Sequence, residues 1–193
     1  NWVREAWYDT FFTSREARIA VMHRARSGLL LIGAPGGIVV KHEENAFLLE
    51  TLTGRNFEDI RTIKELEDGS LLLGGNGSGL VRLLPDWSWR HYGKEAGISS
   101  NFIRDIYVSS PDTLWLATED HGLDRIILGP DGALTEQVNI TPADGLLHHG
   151  LHRIIRDEYG YLWMNTNGGI MRISEDELNA FANGQIPRIS PFS

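Results

Sequence analysis

The sequence predicts an all-β fold of about four consecutive four-stranded sheets, with one short helix near the C-terminus. Three observations carry that expectation: a unit of about 45 residues recurs along the chain, each unit divides into short β-type runs, and helical periodicity is weak within them.

The recurrence is plainest in "TLWLATEDHGLDRI" (Thr113 to Ile126) and "YLWMNTNGGIMRI" (Tyr161 to Ile173), which share Leu-Trp, a Thr, a Gly-aliphatic pair and a following Arg-Ile. With Trp115 and Trp163 as anchors, Leu31 in "SGLLLIGAPGGI" and Leu72 in "DGSLLLGGNGSGL" occupy the same slot upstream. A small or turn-forming residue follows each anchor by two positions: Gly33, Gly74, Ala117 and Asn165. A Gly-aliphatic pair comes next in every unit (Gly37-Ile38, Gly79-Leu80, Gly122-Leu123, Gly169-Ile170). An aliphatic residue precedes each anchor at constant distance (Ile19, Ile60, Ile103, Leu151), with another three positions later (Met22, Ile63, Ile106, Ile154).

Within the third unit the strands read in order as "IRDIYVSS", "TLWLAT", "LDRIIL" and "LTEQVNI", separated by a Pro-Asp turn, a polar loop and a Gly-Pro-Asp-Gly turn. Four strands per unit at this period point to propeller blades, here a β-propeller fragment with blades over residues 17–54, 57–97, 101–145 and 149–190. In such blades the anchor sits on the second strand and packs between neighbouring sheets, and the small residue after it lets those sheets approach. Residues Arg4 to Thr13 read as the outer strand of a preceding blade, spanning 1–14. "SEDELNAF" carries Ser174 and Glu177 at capping-box spacing, which predicts the short helix, and "QIPRIS" after it reads as a further strand.

The composition excludes several classes of function. With 26 acidic against 18 basic residues the net charge is −8, so no general attraction to nucleic-acid backbones or anionic lipid is expected. The absence of cysteine removes disulfides and thiolate metal sites. The longest apolar runs, such as "GLLLIGA", fall far short of the roughly 18 residues a membrane helix needs, so no membrane contact is expected within the segment. A start at Asn1 without Met or a signal pattern reads as an excised piece of a longer protein.

The stretches "GISSNFIRDIYV" (Gly97 to Val108) and "GLLHHGLHRIIRDEYGYLWMNTNGGIMRI" (Gly145 to Ile173) resemble the two-component regulator propeller repeat. The resemblance is specific in the last two units and rests on spacing in the first two, where Leu31 and Leu72 replace Trp and no Thr follows. That family occurs in extracytoplasmic sensor regions of bacterial hybrid histidine kinases and diguanylate cyclases. It implies seven-bladed propellers, often in tandem, then a β-sandwich, a membrane helix and cytoplasmic signalling domains. It also implies a periplasmic location and, in many members, carbohydrate-derived ligands.

In propellers the loops entering the innermost strand and those joining the second and third strands share one face and converge on a central funnel, the default ligand surface. The candidate ligand-binding residues there are Asn56, Asn76, Asn101, Arg104, His121, His148, His149, His152 and Asn167. "HHGLH" invites a metal reading, since His148 and His152 would share a helix face. In the repeat, however, His149 matches Asn101 and His152 matches Arg104, which places them on a turn and a strand start, so no metal and no cofactor is expected. Gly74, Gly75, Gly77 and Gly79 lack the Lys-Ser or Lys-Thr and the following helix of a phosphate loop. Asp105, Asp157 and Glu158 form no evident acid–base pair, and no nucleophile elbow is present, so no catalytic residue is assigned.

The expectation is a non-catalytic sensing segment that takes a small-molecule or oligosaccharide ligand and associates with copies of itself, or with the rest of its propeller, through open blade edges. The alternative is a propeller scaffold for protein–protein interaction, and a more distant one a propeller lyase or glycosidase.

Overall fold

The computed structural model describes residues 11, 18–34, 36–57 and 59–192. The segment expected to be an outer strand of a preceding blade lies almost wholly outside them.

Four antiparallel sheets follow one another along the chain, each built from strands adjacent in sequence. The first holds β1 (Val21–Arg24), β2 (Leu30–Ala34), β3 (Gly37–His42) and β4 (Asn45–Leu48). The second holds β5 (Ile60–Glu65), β6 (Leu71–Gly75), β7 (Gly79–Leu83) and β8 (Trp89–Tyr92), and the third β9 (Ile103–Val108), β10 (Thr113–Thr118), β11 (Leu123–Leu128) and β12 (Leu134–Ile140). The fourth holds β13 (Leu151–Arg156), β14 (Tyr161–Thr166) and β15 (Gly169–Ser174). First strands of successive sheets, β1, β5, β9 and β13, lie side by side, so the sheets radiate from a common hub as propeller blades do.

The four anchors occupy one register. Leu31 pairs with His23 and Val40, Leu72 with Lys64 and Arg82, Trp115 with Tyr107 and Arg125, and Trp163 with Ile155 and Arg172. Each of the first three is sealed by the blade that follows: Leu31 packs with Leu71, Leu73 and Val81, Leu72 with Ile103, Ile106 and Leu116, and Trp115 with Leu151, Leu162 and Met164. All three have no exposed surface. The small slot makes this stacking possible. A Cβ on Gly74 would lie 2.7 Å from side-chain atoms of both Ile103 and Thr62, and one on Gly33 would lie 3.3 Å from the carbonyl oxygen of Ile60.

Trp163 departs from the expectation that both tryptophans are packed between blades. It remains 38% exposed, with Ile155, Ile170 and Phe192 around 60% exposed. The physical reason is that no further blade lies beyond the fourth sheet among the described residues. Its indole N–H donates to Asp157 at 2.7 Å, and the Arg172 guanidinium lies 5.3 Å from its ring.

The fourth blade also differs in strand count, with three strands instead of four. "QIPRIS" forms no strand, and its neighbour Phe192 makes an isolated bridge to Arg172. Pro187 and Pro191 each remove a ladder donor and fix φ, which a continuous outer strand does not tolerate. A helix takes that place: α2 (Glu175–Ala182), preceded in the chain by α1 (Leu49–Thr53), which joins the first two blades and was not expected. Ser174 caps α2 by accepting from the Glu177 N–H, while the Glu177 carboxylate turns away from the cap to accept from the Ser190 N–H at 2.7 Å. Leu178 of α2 is fully buried in the core shared by the third and fourth blades, and Arg125 of β11 binds Asn183 just past the helix at 2.9 Å.

Candidate functional site

The first strands of the second, third and fourth blades share an irregularity. In β5 the ladder passes from Ile60↔Gly75 to Thr62↔Gly74, in β9 from Ile103↔Thr118 to Asp105↔Ala117, and in β13 from Leu151↔Thr166 to Arg153↔Asn165. Each skips one residue: Arg61, Arg104 and His152. A bulge of this kind frees a residue from the ladder and re-aims its side chain. Three polar side chains therefore stand at equivalent depth along the hub, at the mouth formed by the loops before the first strands and between the second and third.

Each bulged residue meets a partner from those loops. Arg61 binds Asp59 at 2.6 Å, Arg104 binds Glu119 at 2.5 Å, and His152 Nε2 lies 2.7 Å from Asn167 Oδ1. Asn76 also donates to Asp59 at 2.9 Å. Burial works to raise the Asp59 pKa, but the bonds from Arg61 and Asn76 and the charges of Arg61 and Arg104 outweigh it and hold the carboxyl below the ordinary aspartate range. Asp120 behaves alike: burial opposes ionisation, and the bonds from Ser100 and His121 prevail.

The loops are tied to one another across blades. The carbonyl of Asn101 accepts from Gly77 and Gly79 N–H at 3.0 and 2.9 Å, and that of His149 accepts from Gly122 N–H at 2.7 Å. The repeat equivalence of Asn101 and His149 is thus a physical one: each uses its backbone to anchor the preceding blade. Glycine is required at the receiving position, since Gly79 and Gly122 have φ of 65° and 81° and a Cβ there would fall 2.7 and 2.2 Å from the carbonyl oxygens of Tyr92 and Ile140.

The predicted site residues therefore fall into distinct groups. Asn76 and Arg104 gather around Asp59, and His152 and Asn167 pair directly. His148 lies against Gly168 of the same mouth, where a Cβ would strike its ring, and Asn56 faces Gly37 in the first blade. Asn101 spends its side chain on the Lys94 N–H at 2.9 Å, and His121 pairs with Asp120 at 3.0 Å. His149 is exposed. Among the described residues no three His, Cys, Asp or Glu side chains form a group able to hold a metal ion. The loops Arg55 to Asp59 and Glu119 to His121 were expected on the funnel face without Asp59 or Glu119 being singled out, and Arg61 was passed over. The repeat carries a signal for Arg61, because it occupies the position of Arg104 and His152.

The acidic residues weighed for acid–base chemistry are held apart. Asp105 is fully buried between inner strands, whereas Asp157 lies in the β13–β14 turn at the opposite end of its blade, where the Trp163 N–H and backbone donors keep its pKa low.

No protein-family model and no curated protein matches the chain. Solved structures do. A protein described as the extracellular domain of the one component system BT4673 from B. thetaiotaomicron superposes with a TM-score of 0.69 and 17% identity over 88% of this chain and 25% of its own. The extracellular domain of the hybrid two component system BT3049 from the same organism gives 0.64 and 23% over 81% and 22%. A gluconolactonase from Xanthomonas campestris, XC5397, gives 0.57 and 14% over 88% and 60%. The chain thus spans about a quarter of the length of the two extracellular domains it resembles, and at these identities the likeness establishes the propeller architecture.

Proposed function

We propose that this chain is part of a periplasmic, non-catalytic sensor propeller of a two-component or diguanylate cyclase signalling protein, and that it binds a small polar ligand, an oligosaccharide in the first instance, at the hub mouth. The observation that carries the reading is the row of bulged residues Arg61, Arg104 and His152, each paired with a loop side chain at the same mouth. A set of guanidinium, imidazole, amide and carboxylate groups gathered at one mouth suits hydroxyl-rich ligands, which offer both donors and acceptors. Asp105 and Asp157 are not brought together across one bond, and the mouth carboxylates Asp59 and Glu119 are each engaged by an arginine. The extracellular domains of signalling systems among the structural neighbours support the sensing role, and the gluconolactonase is the reason to measure turnover as well.

The test is a thermal-shift screen of oligosaccharides on the native chain, followed by Arg104→Ala and His152→Ala. A rise in Tm with one class of sugar, lost in both variants, is expected, without consumption of the sugar. Turnover lost on replacing His149 supports an enzyme instead.

A second reading has its own observation. The exposed Trp163 face is the counterpart of three faces that are each covered by a blade, which favours association there, with a further blade or a second copy. A monomeric mass at tens of micromolar removes the second copy.

A further inference from the structure

The turn joining β7 and β8 differs from its counterpart in the third blade by one costly choice. In "LPDWS" the Trp87 N–H donates to Leu84 O at 2.9 Å and the Leu84 N–H to Ser88 O at 2.8 Å, while Asp86 accepts from the Ser88 N–H at 2.9 Å. In "GPDGA" the same three bonds run from Gly132 to Gly129, from Gly129 to Ala133 and from Ala133 to Asp131, at 2.7, 2.7 and 2.9 Å. Position for position, Trp87 stands where Gly132 stands, and both are left-handed, with φ of 68° and 75°. Glycine adopts that conformation freely, whereas for a bulky residue it is a strained outlier, and strain of this kind is retained where the side chain serves a purpose.

The indole forms one wall of a cavity of about 470 Å³ at the seam of the first and second blades, on the end of the propeller opposite the hub mouth. Leu29, Leu84 and Pro85 contribute accessible apolar surface, above the nearly buried Ala25, Leu71 and Leu83. The rim is acidic: Glu65, Glu67 and Asp68 against Arg26 alone. Glu65 is engaged by Arg26 at 3.3 Å and His23 at 3.6 Å, and Asp68 by Arg82 at 2.6 Å. Glu67 is exposed and has no ion-pair or hydrogen-bond partner among the described residues. The equivalent seam between the second and third blades, lined by Glu65, Leu66, Glu67, Val108, Ser109, Ser110 and Pro111, encloses about 220 Å³ and has no aromatic wall.

We infer that the Trp87 cavity is a second ligand site, separate from the hub mouth, for a small organic cation with an apolar or aromatic body. The body would lie on the indole and the leucines, and the ammonium group would reach Glu67, the carboxylate left without a counter-ion. The negative rim and the net charge of −8 both favour a cation over an anion of the same shape.

Calorimetric titration of the whole chain with 2-phenylethylammonium tests this directly, with 2-phenylethanol and phenylacetate as neutral and anionic counterparts. The native protein is expected to bind the amine saturably and the other two at least about tenfold more weakly, as loss of a charge-assisted bond implies. Trp87→Gly retains a turn that the third blade already makes with glycine, and is expected to weaken amine binding by at least about tenfold through loss of the apolar wall. Glu67→Gln, at an exposed position that does not endanger folding, is expected to weaken it by about tenfold as well. Absence of saturable binding to the native chain, equal binding of 2-phenylethanol, or native-like binding by the Glu67→Gln variant overturns the assignment.

Discussion

The carboxylate of Asp105 accepts a hydrogen bond from the backbone N–H of Ile154 in the next blade, at 3.0 Å. Its other oxygen accepts from the Thr62 hydroxyl of the preceding blade at 2.9 Å and faces Lys64 at 3.2 Å. One wholly buried side chain thus joins the inner strands of three blades. Hydrophobic stacking holds blade against blade at any small offset, whereas this bonding has a single satisfied geometry and fixes the offset.

Asp105→Ala leaves a hydroxyl and an amide N–H buried without partners. We expect a loss of about 3 kcal/mol, or roughly 6–12 °C in Tm, by denaturant and thermal unfolding. Thr62→Val, which removes one donor and keeps its shape, is expected to cost about 1 kcal/mol. A native-like Asp105→Ala contradicts the linking role.

Two tryptophans in one repeat slot are expected to respond in opposite ways. Trp115 is sealed by the fourth blade, and Trp115→Ala should cost about 3–5 kcal/mol through lost burial and a residual cavity. Trp163 faces outward, and Trp163→Ala should cost under about 1 kcal/mol, the range of exposed contacts. Acrylamide quenching gives an independent reading: removal of Trp163 should diminish the quenched fraction, and removal of Trp115 should not.

Asp124 and Asp59 are expected to titrate on opposite sides of the ordinary aspartate value of 3.8. Burial raises Asp124, only partly offset by bonds from Ser99, Asn139 and Gln137, whereas the arginine and amide partners of Asp59 overcome its burial and lower it. A raised folded pKa means that the native state binds the proton more tightly than the unfolded chain, so Asp124 costs stability as pH rises above its ordinary value. Asp59 contributes stability above 3.8 that is lost as pH falls through its lowered folded value. The stability of Asp124→Asn relative to the native protein should therefore improve as pH rises from about 4 toward neutrality. Carboxyl carbon NMR titration reads both groups separately.

The repeat was legible in the sequence because the same physical demand recurs in every blade. Leu31, Leu72 and Trp115 must reach the neighbouring sheet, Trp163 repeats their slot and register, and Gly79 and Gly122 must pass under a carbonyl. Position along the repeat also placed Arg104 and His152 on an inner strand start, although nothing local marks a bulge, so Arg61 went unnoticed beside them. The pairings with Asp59 and Glu119 were hidden because the partners come from loops whose lengths differ between blades. Exposure of Trp163 depends on what lies beyond the fourth sheet, which no pattern inside the unit encodes. The strand expected at "QIPRIS" does not form, and Pro187 and Pro191, each of which removes a ladder donor, are the local signal against it.

Side-chain NMR of Arg and His, recorded while an oligosaccharide that raises the Tm is titrated in, addresses the hub-mouth assignment most directly. The account predicts that the largest shifts fall on Arg61, Arg104 and His152, with saturation at one common concentration. Shifts gathered instead on His23 and Arg26, beside the Trp87 cavity, with those three residues unmoved, contradict it.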